Sequence, residues 1–155
     1  MGDLPHLDAA GNAHMIDVGG KADSDRVAEA ESTIHLDLET RTSLFGGDLP
    51  KGDALAVARV AGIQAAKRTS DLIPLCHPLG LTSVSVEIEQ VPEGARVVSR
   101  VASTGPTGVE MEALTAASIA ALSLYDMVKS LQRGAEIGPL RLLRKSGGRS
   151  GEWVR

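Results

Sequence analysis

A long run of small side chains between residues 109 and 132 constrains the fold more than any other feature. The segment reads VEMEALTAASIAALSLYDMVKSLQ and predicts a long helix, which Arg133 and Gly134 close as is usual at a helix C-terminus. Aromatic residues make up only 2% of the chain, so Ala, Val, Leu and Ile must fill the core. Side chains of this size favour close packing of a helix on a sheet.

The remaining periodicities predict a further helix and four strands. STIHLDLET, from Ser32, alternates apolar and polar residues as a strand does, and a helix is expected from Asp53 to about Arg68 with Asp53 as its cap. LTSVSVEIEQV and ARVVSRVAS flank a PEG turn and predict a hairpin, and IGPLRLL predicts a last strand. The order β-α-β-β-α-β indicates an α+β fold, an antiparallel sheet with two long helices on one face.

The length of 155 residues suits one domain with a single core. Residues 1–30 are rich in Gly, Asp, Ala and His without a sustained period, which is typical of a mobile N-terminal arm. Residues 31–155 are then expected to form the single domain. Prolines 74 and 78 make the connection DLIPLCHPLG stiff, because each removes a backbone donor.

Composition excludes several classes of function. A net charge of −4 and few aromatic residues argue against a nucleic-acid binder. One cysteine rules out an intramolecular disulfide and fits a reducing compartment. We find no apolar run of membrane-spanning length and no signal peptide, so the expected location is the cytoplasm, without membrane partners.

The charges of the long helix permit two interpretations. Glu112 and Asp126 lie 14 positions apart, close to four turns, so they share a face but are separated by about 21 Å. They can serve one small site only if a symmetric neighbour brings the far end of its helix to the start of this one. Alternatively, Glu110 and Glu112 complement the helix dipole, and Asp126 and Lys129 form an ion pair on a solvated face.

Other candidate groups lie in the loops. His77 and Cys76 stand between the two prolines; a histidine there can transfer protons or bind an anion, or it can be purely structural. Their spacing matches no zinc pattern, so no protein-held metal is predicted. Lys51, Lys67 and Lys145 lie near element ends and suggest an anion site, to which the glycines of KSGGRSG can offer backbone amides. A flexible, soluble tail is the alternative for that segment.

Four segments of the chain carry a resemblance to a known family. They are GNAHMIDVGGKADSDRVAEA, KGDALAVARVAGIQAAKRTSDLIPLCHPL, TGVEMEALTAASIAALSLYDMVKSL and IGPLRLLRKSGG. Together they resemble the MoaC family, which acts in molybdenum cofactor biosynthesis. The resemblance covers nearly the whole chain, and LIPLCHP and GVEMEALTAAS are its most specific blocks. It implies a ferredoxin-like catalytic domain and a lyase that converts 3′,8-cyclo-7,8-dihydroguanosine 5′-triphosphate to cyclic pyranopterin monophosphate, with release of pyrophosphate.

The resemblance also implies an assembly and a set of site residues. The family forms homohexamers, trimers of dimers with active sites at the dimer interface. Asp126, Lys51 and Lys129 match its catalytic aspartate and lysines. The positions that match its substrate-binding residues are Leu75, Cys76, His77, Met111 and Glu112, and with weaker support Glu110, Lys67 and Lys145.

The chemistry suits these residue types. Lysines transfer protons when neighbouring cations or burial lower their pKa, and a carboxylate can orient them. Lys51 and Lys129 are therefore expected to transfer protons, Asp126 to position Lys129 or the substrate, and Glu112 to hold the purine-derived ring or a ribose hydroxyl. Charged lysines and His77 can stabilise the leaving pyrophosphate. No cofactor is expected to be bound by the protein, although Mg²⁺ can accompany the triphosphate or pyrophosphate.

One position departs from the family pattern. Many members carry a basic residue where this chain has Pro106, which removes any phosphate contact from that side chain. The alternative to an enzyme is a non-catalytic nucleotide-binding or regulatory module on the same fold, since this fold hosts many functions. A regulator has no evident need for lysines, a histidine and carboxylates in this combination.

Overall fold

The chain folds into one antiparallel sheet covered on one face by helices. The computed structural model describes residues 6–155. Its elements in chain order are β1 (Ser24–His35), α1 (Leu38–Gly46), α2 (Ala54–Ala66), α3 (Thr69–Leu72), β2 (Leu81–Val91), β3 (Gly94–Gly105), α4 (Glu110–Val128), β4 (Glu136–Ile137), β5 (Arg141–Ser146) and β6 (Trp153–Val154).

The sheet order is β2-β3-β1-β5-β6, and β4 also pairs with β1. Among the four longest strands, β1 and β3 are therefore central, and every pairing between these strands is antiparallel. This is the ferredoxin-like arrangement, and the predicted α+β fold class is confirmed. The predicted hairpin is also confirmed; at its turn, Gly94 has φ 152° and passes so close to Ile34 that a Cβ there would overlap the Ile34 carbonyl oxygen.

Alternate residues of the central strands face the helices and form the core. Ala28, Ala30 and Ile34 of β1 and Val97 and Val101 of β3 are fully buried. The alanines of α4 are buried against this face and against α2. The small residues therefore serve packing within the chain, as the composition predicted, and they are not free to approach a second copy.

The first strand differs from its predicted extent at both ends. It begins at Ser24, so residues 24–30, which we assigned to the arm, pair with β3 and β5. It ends at His35 because Asp37 starts α1: its carboxylate accepts a hydrogen bond from the Thr40 amide at 2.8 Å. The apolar alternation of LDLET concealed this cap, and α1 was missed. The mobility of residues 1–23 stays a prediction, and residues 1–5 lie outside the described part of the chain.

Helices α2 and α4 follow the predictions closely, whereas the short helix α3 was not predicted. Asp53 caps α2 by accepting from the Ala56 amide at 2.9 Å. The last regular turn of α4 ends at Val128, four residues before the predicted end, and β5 begins later than predicted and extends to Ser146. Within the described residues, α4 is the one helix long and apolar enough to cross a membrane by length and mean hydropathy, 1.2. Its alanine-rich side lies in the core, as in the central helix of a folded domain.

Candidate active site

Two adjoining clefts lie at the start of α4, where the β3–α4 connection meets the N-terminal segment, the proline-flanked loop and the glycine-rich segment after β5. Thr107, Gly108 and Glu110 belong to the walls of both, together with Lys21 from the N-terminal segment. A ligand with two chemically different parts can therefore occupy both clefts at once. We call them the inner pocket and the basic cleft.

The inner pocket has a volume of about 300 Å³ and gathers most of the predicted substrate-binding residues. Leu75, Cys76 and His77 come from the loop that Pro74 and Pro78 stiffen. Met111, Glu112 and Glu110 come from the first turn of α4. The residues lining the inner pocket are His6, Ile16, Val18, Lys21, Leu75, Cys76, His77, Leu79, Thr107, Gly108, Glu110, Met111 and Glu112.

Glu112 is the most buried ionisable group of the inner pocket, with only 4% of its surface exposed. Burial raises its pKa, and the negative charge of Glu110 raises it further. Glu112 is therefore a buried carboxylate in the first turn of α4, where the helix dipole favours its charged form and burial opposes it. Burial, with a smaller effect of Glu112, also raises the pKa of the Cys76 thiol, which disfavours a thiolate nucleophile.

The N-terminal segment closes one side of the inner pocket. The Nε2 atom of His77 lies 2.7 Å from the carbonyl oxygen of Ile16. His6 and Val18 of the same segment also contact the pocket. The sequence patterns gave no sign of this wall, because a segment without periodicity carries no signal for the partner it packs against.

The basic cleft has a volume of about 730 Å³ and is lined by four cationic side chains, Lys21, Arg26, Lys145 and Arg149. Lys145 was predicted to line the site. Lys21 and Arg26 were missed, because the arm was not expected to contribute to it. The one available signal was their position in GGKADSDRVAEA, the N-terminal segment of the family resemblance.

The walls of the basic cleft hold Arg26 in place. Its guanidinium donates to the carbonyl oxygens of Gly105 at 3.3 Å and Pro106 at 3.2 Å. Gly148 has φ 69°, a conformation that favours glycine, and a Cβ at that position would displace the Arg26 guanidinium. Pro106 thus contributes through its backbone, and the cleft is cationic without a basic side chain at that position.

The three predicted catalytic residues meet at the opposite end of α4. Lys51, from the loop before α2, donates to the Asp126 carboxylate at 3.0 Å and to its backbone oxygen at 2.7 Å. Lys129 lies 2.7 Å from the other carboxylate oxygen, which confirms the expected i,i+3 ion pair. Lys51 lies 75 residues before Asp126 in the sequence, so the spacing of charges on the helix did not point to it. The family resemblance did include Lys51.

The lysine hydrogen bonds determine the electrostatics of this cluster. They lower the pKa of Asp126, and the hydrogen bond from Lys129 has a larger effect than the one from Lys51. The same bond raises the pKa of Lys129, whereas proton abstraction by a lysine requires a lowered one. In a single chain the cluster is solvent-exposed, with Asp126 55% accessible, and the raised pKa favours the ammonium form of Lys129.

The structure separates the predicted residues into two groups. The inner pocket and basic cleft lie at the start of α4, and Lys51, Asp126 and Lys129 lie at its end, about 21 Å further along the axis. Lys67 follows α2 as an exposed residue and lines neither cleft. Within residues 6–155, no group of three His, Cys, Asp or Glu side chains could hold a metal ion.

Comparison with known proteins identifies a family and close relatives. The profile of the MoaC family matches residues 15–148. Three similar proteins are each named cyclic pyranopterin monophosphate synthase. The protein of Roseiflexus castenholzii is 54% identical, with 99% of each chain covered. The protein of Novosphingobium aromaticivorans is 52% identical, over 99% of this chain and 98% of its own length. The protein of Corynebacterium efficiens is 51% identical, over 99% of each chain.

Proposed function

We propose how this site works from one premise: the chain belongs to the MoaC family. It is an enzyme of molybdenum cofactor biosynthesis and forms cyclic pyranopterin monophosphate, as the names of its relatives indicate. The substrate is 3′,8-cyclo-7,8-dihydroguanosine 5′-triphosphate, and pyrophosphate is the second product. A non-catalytic module on the same fold is not favoured, because the relatives named above are synthases over the full length of the chain.

The observation that carries the assignment of subsites is the shared wall between the two clefts. A cyclised guanosine triphosphate has a polar ring system at one end and several negative charges at the other. We assign the ring system to the inner pocket, where Glu112 and His77 offer hydrogen bonds. The triphosphate then occupies the basic cleft, where Lys21, Arg26 and Lys145 can neutralise phosphate oxygens.

The step that forms the cyclic phosphate can be written in full, bond by bond. A ribose hydroxyl oxygen forms a bond to the α-phosphorus, the bond from that phosphorus to the β-bridging oxygen breaks, and pyrophosphate leaves with both bonding electrons. The hydroxyl proton passes to a base, and a cationic donor can protonate the pyrophosphate. Fixed positive charges around the phosphates stabilise the charge that develops on the leaving group.

We assign the proton transfers of the ring rearrangement to Lys51 and Lys129. Lys129, with its raised pKa, begins as a proton donor, and Asp126 orients both ammonium groups. Desolvation against a second copy would lower the lysine pKa values and allow either lysine to return as a base. Glu112 would hold the ring or a ribose hydroxyl. Mg²⁺, where it takes part, would arrive with the triphosphate, because Mg²⁺ is usually bound largely through substrate phosphates and water.

The complete site requires a second copy of the chain, because one chain holds its two halves at opposite ends of α4. A twofold axis near the middle of this helix would bring the Asp126 end of one copy to the Glu112 end of the other. We propose a homohexamer, a trimer of such dimers. A cytoplasmic location is also a proposal, supported by the single partly buried cysteine.

The direct test is turnover. Incubation with the cyclised GTP intermediate should release pyrophosphate and give a product that oxidises to a fluorescent pterin. Lys129→Ala should lower turnover by about a hundredfold or more while leaving the fold and oligomer intact. Near-normal activity of that variant would refute its proton-transfer role, and no product from authentic intermediate would favour the binding module.

We expect His77→Ala, like Lys129→Ala, to be inactive, and mixing the two variants tests the shared site. If each site takes His77 from one chain and Lys129 from another, random mixing of His77→Ala with Lys129→Ala restores about a quarter of the sites, because one combination in four carries neither defect. If each site lies in one chain, that mixture stays inactive. The control is the double variant mixed equally with wild type, for which the shared site predicts about a quarter of wild-type activity and the single-chain site about half.

A further inference from the structure

Residues 6–14 form a hairpin, and together with residues 15–18 they make up the segment that we call the strap. The His14 amide donates to the His6 carbonyl at 2.9 Å, and Leu7 and Ala13 form an antiparallel bridge. At the tip, the Asp8 carboxylate accepts from the Ala10 and Asn12 amides at 2.9 and 2.8 Å. The strap is therefore locally ordered by its own turn, although most of its residues are exposed.

The strap reaches the inner pocket at its two ends, through His6 on one side and through Ile16 and Val18 on the other. The Ile16 carbonyl oxygen lies 2.7 Å from His77 Nε2. A carbonyl oxygen can only accept a hydrogen bond, so the proton of this contact belongs to the histidine nitrogen. The backbone of the strap thus selects one of the two neutral forms of the His77 ring.

We infer that the strap is a positioning element of the active site, which fixes His77 in the tautomer with the proton on Nε2. The inference rests on the proposed function only in assigning a ligand to the pocket. In the neutral ring, Nδ1 is then the unprotonated nitrogen and can only accept a hydrogen bond. Within the described residues no second side-chain hydrogen bond of His77 occurs, and His77 lines the inner pocket, so we take Nδ1 as the nitrogen offered to a ligand.

This tautomer narrows what the neutral His77 can recognise. It accepts from an N–H or O–H group, such as a ring nitrogen, an amino group or a ribose hydroxyl of the substrate. A phosphate oxygen offers no proton at neutral pH and is not a partner for an unprotonated nitrogen. The strap therefore assigns neutral His77 to the ring end of the substrate, and the cations of the basic cleft serve the phosphates.

The first experiment reads the tautomer directly. Long-range ¹H–¹⁵N NMR spectra of the full chain, labelled on histidine, distinguish a protonated Nε2 from a protonated Nδ1, and the His77→Gln variant assigns the signal. We expect His77 to be protonated on Nε2 at a pH where the ring is neutral. Protonation on Nδ1, or an equal mixture of the two forms, would overturn the inference. The measurement needs no turnover, so its outcome is independent of the proposed reaction.

The second experiment loosens the strap away from the pocket. Asp8→Ala removes the acceptor at the exposed tip, whereas Asp8→Asn keeps a side-chain oxygen and should behave as wild type. Gly11→Val is a second disruption, because Gly11 has φ 82° and a β-branched residue is strained there. We expect both disruptive variants to mix the His77 tautomers and to raise KM by about threefold to tenfold, with a smaller effect on kcat. Unchanged tautomer and KM in both variants would overturn the inference.

Discussion

Single side chains in this protein acquire their roles from burial rather than from identity. Glu110 and Glu112 are neighbours on the first turn of α4, but one is half-buried and the other almost completely buried. Ser32 and Ser99 are both fully buried on the helix-facing side of the sheet, yet only Ser99 finds hydrogen-bond partners. The same residue type therefore has opposite energetic consequences at two positions.

The two serines give a matched pair for stability. Ser99 Oγ donates to the carbonyl oxygen of Ala113 at 2.6 Å, whereas Ser32 Oγ has no partner among the described atoms. Ser99→Ala should lower the free energy of unfolding by about 1 kcal/mol, and Ser32→Ala should leave it unchanged or raise it. Urea unfolding at one fixed protein concentration measures both. Equal destabilisation by the two substitutions would contradict this account.

The buried carboxylate predicts a pH-dependent stability. Because burial raises the pKa of Glu112, the protonated side chain favours the folded state. This stabilisation is complete below the ordinary glutamate pKa and is lost as pH rises through the raised pKa. Glu112→Gln stays neutral, so it should have the higher melting temperature at pH 8 and match wild type near pH 4. Its turnover should fall, because the proposed ligand contact is changed. The exposed Glu87→Gln is the control, and a wild type that is the more stable protein at pH 8 would refute the argument.

Helix α4 contributes to different parts of the proposed site at its two ends. The first turn of α4 lines both clefts, its middle packs on α2 and the sheet, and its last turn holds Asp126 beside Lys129. Packing therefore fixes the relative placement of the two halves of the site. A change in the contact between α2 and α4 should be transmitted to both ends.

Gly62 tests that contact. A Cβ added there would lie 2.9 Å from the Ala116 carbonyl oxygen and 3.1 Å from the Ala120 Cβ, so the two helices would have to separate. Although alanine has the better helix propensity, Gly62→Ala should lower the free energy of unfolding by about 1–3 kcal/mol. Gln64→Ala, on the exposed side of α2, should have almost no effect. Chemical unfolding of the two variants under the same conditions provides the comparison; a stabilised Gly62→Ala would mean that the helices are not in close contact.

The outer side of α4 is the surface on which the whole assembly depends in our proposal. Its alanines are used within the chain, and the side chains that remain outside include Met111 and Leu122, which are 37% and 53% exposed. A twofold pairing of this surface would cover both and would unite the two halves of the site. The oligomer and the activity are then lost together.

Leu122→Lys should therefore weaken the oligomer without unfolding the chain. A cation on a covered apolar surface is costly, whereas the same residue tolerates lysine in a single chain because it is exposed. We expect smaller particles in sedimentation velocity and at least tenfold lower turnover. Leu38→Lys, at a 69% exposed position on α1, is the control and should change neither. If the Leu122→Lys protein kept its oligomer and its activity, the second copy would not bind at this surface of α4.

The sequence predicted the fold well because its periodicities are strong. The hairpin around Gly94 and the helix after Asp53 are encoded locally, in alternation and in a cap, and the structure confirms them. Helix α1 was missed because the Asp37 cap lies inside an alternating run, where two local signals compete. Residues of the inner pocket were predicted from the family resemblance rather than from spacing, since no local pattern brings His77 to Glu112.

The order of the four long strands and the two long helices, the small-residue core and the family were decided by the sequence, because each depends on neighbours along the chain or on motifs read directly from it. The separation of Glu112 and Asp126 along α4 also followed from their spacing. Only the folded chain shows that Lys21 and Arg26 line the basic cleft, that Ile16 bonds to His77, and that Lys51 meets Asp126. These are contacts between residues distant in sequence, and packing rather than local preference determines them.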